Sequence, residues 1–406
     1  RSCPELNLQL SCPFTYRHNP SWYNGITYSD EYRRGFDCVE DLLVPGVLTV
    51  EMKPGESFVV SASVEEADPK ALKRMFNNAL RKLGQVKSWH DILVRNAELL
   101  KRSRGGKTQV TAGLSWLYTG LLRETVTSLP GLTLYATGDC TEFEEILDTL
   151  IADNQERLFR RTTQVEAPLR LIDTLQQYID FAGLEKRVWQ KYGETVKGII
   201  ESYLPGRRNE VSLHPNGLLW AQMDHVALSW MNAYINGNPV TERPGYQVDT
   251  NAWWYNALCF AIDMERKYAS NKSFVKQWEP IASLFEANFQ KTFWNEGRRC
   301  LADYVDNCGQ NMDIRPNQLF AISLKYSAIE DELHPLILKV IDSELVTARG
   351  IRTLSPRDVK YKGVYEGSQL DRDLAYHQGS TRPWLLAPYV QTCFRVKGPS
   401  FVKKAE

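Results

Sequence analysis

Several things are missing from this chain of 406 residues, and each absence removes a class of function. There is no excess of charge: lysine plus arginine and aspartate plus glutamate stand at 49 each, so nothing favours a nucleic-acid backbone or an anionic membrane as a partner. No run approaches the roughly 18–20 unbroken apolar residues of a membrane span. No CxxC pair and no His/Cys cluster at zinc-ligand spacing is present, and neither is a glycine-rich phosphate cradle, a GxSxG elbow or an HExxH helix. The eight cysteines (Cys3, Cys12, Cys38, Cys140, Cys259, Cys300, Cys308 and Cys393) are scattered, and they read as free thiols of a reducing, cytoplasmic compartment. The chain opens on "RSCPELNLQL", with neither an initiator methionine nor a signal-peptide pattern, which reads as a piece of a longer protein.

What is present is apolar and aromatic. Apolar residues make up 43% of the chain, enough for a sizeable core, and aromatics reach 11%, with 11 tryptophans and 19 tyrosines. Such rings fill large cores, and they also stack on carbohydrate. A neutral ligand suits the overall charge balance.

Residues 1–65 read as strands: "LQLSCPF", "LLVPGVLTVEM" and "SFVVSASV" are short β-branched runs, broken by "HNPSWYNG" and "KPGES". Asp68 and Pro69 can serve as N-cap and first residue of a helix beginning there. From that point the period is helical. In the stretch 184–203 the apolar set Leu184, Val188, Trp189, Tyr192, Val196, Ile199, Ile200 and Tyr203 keeps 3/4 spacing until Pro205-Gly206. Similar runs occupy 70–102, 123–137, 141–160, 167–181, 250–268, 273–292, 316–327, 329–345 and 383–396. Between them lie long loops rich in Gly, Pro, Asn and aromatics, at 104–122, 205–249, 295–315 and 347–382. Paired helices with alternate connections elaborated fit an (α/α)6 toroid with its long loops on one rim. A solenoid is the rival, but no fixed-period repeat is visible.

The long loops hold the titratable groups. The first carries Trp116, Tyr118, Arg123 and Glu124; the second Trp230, Asn232, Glu242, Arg243 and Asp249; the third Asp303, Asp306, Asp313, Arg315 and Asn317; the fourth Glu366, Asp371, Asp373, Tyr376, His377, Gln378 and Trp384. Carboxylates facing one another among stacking rings are what glycoside hydrolysis needs, one protonating the leaving oxygen and the other activating water or attacking the sugar. Arginine and amide groups grip sugar hydroxyls with good directionality. Each residue also has a structural reading. Arg315 before Pro316 can end a loop at a helix start, His377 can be a core histidine on a backbone carbonyl, and Asp249 can cap the helix of "TNAWWYNALCFAIDM". Asp371-Arg372-Asp373 can be a solvated turn. Trp253 and Trp254 point about 100° apart round their helix, so only one of them can face a cavity.

Five segments in one order, "AGLSWLYTGLLRETVTSLPGLTL", "LSWMNAYINGNPVTERPGYQVDTNAWWYNAL", "RPNQLFAISL", "GIRTLSPRDVKYKGVYEG" and "DLAYHQGSTRPWLLAPY", resemble the bacterial glycogen-debranching-enzyme family, the amylo-α-1,6-glucosidase type of glycoside hydrolase. The resemblance covers nearly the whole chain. It implies a mainly α fold, an (α/α)6 toroid over 66–406, preceded by the end of a β-sandwich domain in 1–65. It further implies hydrolysis of the glucose left at an α-1,6 branch point of a glycogen-like α-glucan, by an inverting two-carboxylate mechanism with no metal or cofactor. Catalysis is then expected from Asp249, Asn232, Glu242 and Asp373. Substrate contacts are expected from Trp116, Tyr118, Arg123, Glu124, Trp230, Arg243, Arg315, Asn317, Tyr376, His377, Gln378 and Trp384.

The chain departs from the family pattern in places. Asn232 stands where many members have the general-acid aspartate, and an amide has no proton to give near neutral pH. Glu124 in "LLRE" replaces an aspartate, Glu242 replaces the proline of "TPR", and Arg382 replaces a tryptophan. The family's last acidic loop and helix, which carry the base, have no counterpart before Glu406, so the toroid reads as short at its C-terminal end. Three readings are open: an active glycosidase, of this linkage or another; a carbohydrate-binding relative that has lost catalysis; and a helical interaction module.

Overall fold

The computed structural model describes residues 4–84, 86–113, 120–269 and 272–401. The chain divides into two compact units, Arg1–Asn96 and Ala97–Glu406.

In the first unit, β1 (Asn7–Leu10) pairs antiparallel with β4 (Val60–Ser63), and β2 (Thr15–Thr27) with β3 (Val39–Thr49). The segment "HNPSWYNG", expected to break a strand, instead forms the middle of β2. The register shifts between His18 and Ser21 and between Tyr23 and Ile26 absorb its Pro20 and Gly25 as irregularities in the ladder. Helix α1 (Ser29–Arg34) links the two strands, and α2 (Leu72–Leu83) and α3 (Trp89–Leu99) come after them. Asp68 does not cap α2. Its Oδ1 accepts from Lys70 N in a turn, and the helix starts at Leu72. The run 70–102 is not one helix either, because Gly84, at φ +68°, ends α2.

The second unit is helical and holds one continuous core, from Ala97 to Leu385. Its helices are α4 (Leu122–Pro130), α5 (Cys140–Asp153), α6 (Gln155–Phe159), α7 (Ala167–Ala182), α8 (Glu185–Glu201), α9 (Val248–Tyr268), α10 (Ser273–Phe293), α11 (Phe320–Ser323), α12 (His334–Glu344), α13 (Gln369–Ala375) and α14 (Leu386–Lys397). Burial separates them into two kinds. α7 and α9 are buried on nearly every side, whereas α8 and α10 bury one stripe each. The α8 stripe, Val188, Trp189, Tyr192, Val196, Ile199 and Ile200, lies within the set that the spacing predicts; Leu184 precedes the helix and is exposed, and Tyr203 is buried just beyond its end. α9 packs against α7, α8, α10 and α11, and α7 against α4. Gly183, at φ +69°, closes α7 and turns the chain into α8. The expected helix over 141–160 breaks at the buried Asn154, whose Nδ2 donates to Leu150 O. The one over 316–327 shrinks to a 3₁₀ turn, Pro316–Leu319, and α11.

Both tryptophans of α9 are interior, Trp254 at 0% and Trp253 at 1% exposure. They differ in what they touch. Trp254 lies among Tyr203 and Trp278 and donates its Nε1 to Gly217 O at 3.1 Å, while Trp253 meets Phe320 and the guanidinium of Arg170. Seven described cysteines are free thiols. No helix among the described residues is long and apolar enough to cross a membrane.

Candidate active site

Three of the long loops are tied to one another by a buried ionic network centred on Arg243. Its Nε donates to Asp303 Oδ2 and its Nη2 to Asp249 Oδ1, both at 2.7 Å, and Nη1 reaches Asp249 Oδ2 at 3.3 Å. Asn317 Nδ2 donates to Asp303 Oδ1 at 2.7 Å, and Trp230 Nε1 donates to Asn317 Oδ1 at 2.8 Å. Asp249 is therefore not a cap, since Gln247 holds that position. Its carboxylate is 0% exposed with both oxygens on Arg243. Asp303 is visible in the sequence as one acid of its loop. Its pairing with Arg243, 60 residues away, is not.

Arg315 is both things the sequence allows. It precedes Pro316 at the start of a 3₁₀ turn, and its guanidinium donates to the carbonyls of Thr353 and His377, to Gln378 Oε1 and to Asp313 Oδ2. Gln378 passes the connection on, donating Nε2 to Val240 O and Thr241 Oγ1. Burial opposes ionisation of Asp313, but Lys360 at 2.6 Å and Arg315 outweigh it and hold this carboxyl below the usual carboxylate range. A folded-state pKa below the unfolded one means stability that is complete above the unfolded value and lost as pH falls through the folded one. Asp313→Asn is accordingly expected to lower the urea midpoint at pH 7 while flattening its fall below about pH 4, the ordinary carboxylate range. An unchanged acid limb would show that Asp313 does not contribute it.

A second cluster collects at the N-terminal ends of helices. Arg123 and Glu124 lie in the first turn of α4, Glu166 immediately precedes α7, Arg170 is the fourth residue of α7, Trp253 lies near the start of α9, and Trp384 sits in the turn leading into α14. Arg123 Nε donates to Glu166 Oε1 at 2.6 Å. The Arg170 guanidinium lies 4.9 Å from the ring centroids of both Trp253 and Trp384. Trp384 meets Trp230 edge-on at 5.1 Å, and Trp230 meets His377 at 5.2 Å. The N-terminal ends bring positive dipole ends together here.

Many polar atoms in this cluster are buried without a hydrogen-bond partner among the described residues: Arg123 Nη2, Glu124 Oε2, Glu166 Oε2, Arg382 Nε and both ring nitrogens of His377. Buried polar atoms are normally satisfied, and orphans gathered in one place point to a ligand. His377 is thus not the core histidine on a carbonyl that the sequence also allows. Burial pushes its pKa well down, and Arg382, Arg315 and Arg123 push it further, which leaves a neutral ring able both to give and to accept one hydrogen bond.

Of the remaining expected residues, Tyr376 borders this cluster through His377 and Arg382, and the others are placed by their own loops. Asn232 is exposed. Glu242 is exposed and, with Asp224, His225 and Arg243, lines a pocket of about 260 Å³. His225 there adopts φ +58°, a left-handed conformation uncommon for a non-glycine residue, with Nδ1 at 2.7 Å from Asn238 Oδ1. Gly245 closes the same loop at φ +89°, where a Cβ would fall 2.3 Å from Val305 O. Asp373 belongs to α13, begun by the Ser368/Asp371 capping box, rather than to a solvated turn; its Oδ1 accepts from Gln369. Tyr376 carries Arg382 over its ring at 4.0 Å. Trp116 and Tyr118 lie outside the described residues. Glu166, Arg170 and Asp224 are not among the residues that the motifs single out. The first two had a signal: charges inside the apolar run "VEAPLRLIDTL" of a helix with no polar face.

A sialidase structure is similar over 78% of this chain and 28% of its own, with a TM-score of 0.54 at 10% identity, which speaks to the fold alone. A GH78 family rhamnosidase of Bacillus sp. GL1 (TM-score 0.42, 13% identity, 97% of this chain and 45% of that one) and a rhamnosidase from Klebsiella oxytoca with rhamnose bound (0.46, 10%, 98% and 74%) are more distant. The chain spans less than half the length of the first two. No curated protein sequence matches it. The family is shown by sequence: the amylo-alpha-1,6-glucosidase profile matches residues 89–404, and the glycogen debranching enzyme N-terminal profile matches 1–59. The chain belongs to the amylo-alpha-1,6-glucosidase family, as its five motifs indicate.

Proposed function

We propose that this chain is a glycoside hydrolase of the debranching type, releasing α-1,6-linked glucose from branch points of a glycogen-like α-glucan on an (α/α)6 toroid. The reading is carried by one observation: orphaned polar atoms of Arg123, Glu124, Glu166 and His377 beside Trp230 and Trp384 within the family's matched segment. Sugar hydroxyls would satisfy those atoms, and the rings would take the apolar sugar face. Family membership and the helical glycosidase-like fold support hydrolysis as the reaction class.

Asp249 cannot easily act as acid or base with both oxygens held by Arg243, and we assign it to holding that loop in place. The two carboxylates are instead Glu124, half-buried with a free Oε2, and Glu242, which faces open space one residue from Arg243. One protonates the glycosidic oxygen while the other draws a proton from water, a pairing that in inverting enzymes spans about 6.5–9.5 Å. Asn232, an amide, serves as a donor to sugar rather than to the leaving group.

Glucose release from a branched limit dextrin by the full chain tests this. Glu124→Gln and Glu242→Gln are each expected to lower kcat by about 10²–10⁴-fold with folding intact, the size of a lost general acid or base. Asn232 also favours a second reading, a glucan-binding relative without catalysis. Retention on glycogen in an affinity gel with no glucose released would establish that one and refute hydrolysis.

A further inference from the structure

Arg170 poses an electrostatic problem that a neutral sugar does not solve. It is 8% exposed, forms no ion pair, and its guanidinium donates no hydrogen bond among the described residues. Glu166, one helical turn before it, gives Oε1 to Arg123 and leaves Oε2 without a partner. Glu166 thus bonds only to Arg123, and the carboxylates that act on Arg170 through space, Glu166, Asp173 and Asp249, accept no hydrogen bond from it. Arg382 has no carboxylate partner among the described residues either: it donates to Tyr376 O, lies over the Tyr376 ring, and keeps an orphaned Nε. A buried cation without an anion is costly, and such sites are ordinarily paired.

The surroundings do not discharge Arg170. Burial lowers its pKa to about 10, with Arg123 adding to that effect and Glu166 opposing it, so the group remains cationic near neutral pH. The ring centroids of Trp253 and Trp384 each lie 4.9 Å from it, and cation–π attraction offsets part of the desolvation. The rings supply no oxygen to the guanidinium N–H groups, whose fork fits two oxygens of one oxyanion. Glu124, Tyr376, Arg382 and Trp384 are only half-buried, which gives the cluster an accessible side. The positive ends of α4, α7 and α9 act in the same sense.

We propose that this cluster takes a saccharide carrying an oxyanion, a uronate carboxylate or a phosphate ester, with Arg170 as its bidentate anchor and Arg382 flanking it. The proposal rests on the reading of the cluster as the glycan site and narrows the class of glycan it accepts. The chain's even charge balance does not oppose it, because neither Arg170 nor Arg382 is hydrogen-bonded to a carboxylate among the described residues, although Glu124 and Glu166 lie in the same cluster.

Titration calorimetry of the full chain with D-glucose, D-glucuronate and D-glucose 6-phosphate, at fixed ionic strength, tests it. At least one of the two anionic sugars is expected to bind tenfold or more tightly than glucose, and which one does so separates carboxylate from phosphate. Arg170→Gln is expected to abolish that preference and Arg170→Lys to restore only part of it, since lysine returns the charge without the fork. Glucose binding as tightly as both anions, or no sugar binding, overturns the proposal, and the unsubstituted chain decides this even if a variant fails to fold. Glucose release from neutral limit dextrin without any anion preference would overturn this inference and leave the hydrolase reading standing. An anion preference with no hydrolysis of any glycan would do the reverse.

Discussion

Arg243→Leu is expected to lower the unfolding free energy by about 3–5 kcal/mol, the range for removing one partner of a buried ion pair. The reason is what remains. Asp249 and Asp303, at 0% and 3% exposure, would lose the guanidinium that pairs with both, and Asn317 and the more distant Arg315 would remain beside Asp303. Against a typical total of about 5–15 kcal/mol the loss is severe, and urea titration reads it directly. Arg243→Lys should recover less than half, because an ammonium cannot serve two carboxylates along two edges of a fork. The combination of Arg243→Leu with Asp249→Asn and Asp303→Asn should recover more, since no buried charge is then left alone. A loss below about 1 kcal/mol in the single variant would contradict the ionic network itself.

Trp254→Ala comes second, at about 3–5 kcal/mol, the range for emptying a tryptophan site in a core. The ring is fully buried between Tyr203 and Trp278, and its Nε1 satisfies the carbonyl of Gly217. Removal leaves a cavity and an unpaired buried carbonyl together. The surroundings cannot collapse into the space easily, because Gly217 already sits against the backbone of Phe285, 2.6 Å from where its own Cβ would lie. A near-neutral result would place the ring at a cavity wall instead.

These two residues mark what is legible in the sequence. Trp254 belongs to an expected helix, 250–268, which the structure has as α9, buried on nearly every side rather than along one face; in α8 a 3.6-residue apolar period announces both the element and its buried stripe. The sequence also locates the loops that carry the site, since glycine, proline and asparagine mark them. It does not show who pairs with whom. Asp249 looks like a cap because it precedes a helical run, and only the fold brings Arg243 and Asp303 against it. Arg170 is hidden for the opposite reason. It lies between Leu169 and Leu171, both fully buried, in a segment that reads as plain core helix. A charge on such a face is the sign, and periodicity alone gives it no weight. The strand β2 defies local rules, because Pro20 and Gly25 signal a turn, while pairing along β3 overrides them through two register shifts.

The backbone at Gly245 has a further consequence for how this protein can diversify. Left-handed and 2.3 Å from Val305 O at its missing Cβ, that position admits one residue type and fixes the path of the loop. Three residues earlier, Glu242 is exposed and lines the pocket beside Arg243. The loop therefore works as a rigid arm: substitutions elsewhere along it can be accepted, while the backbone at Gly245 keeps Glu242, the proposed catalytic carboxylate, in its place.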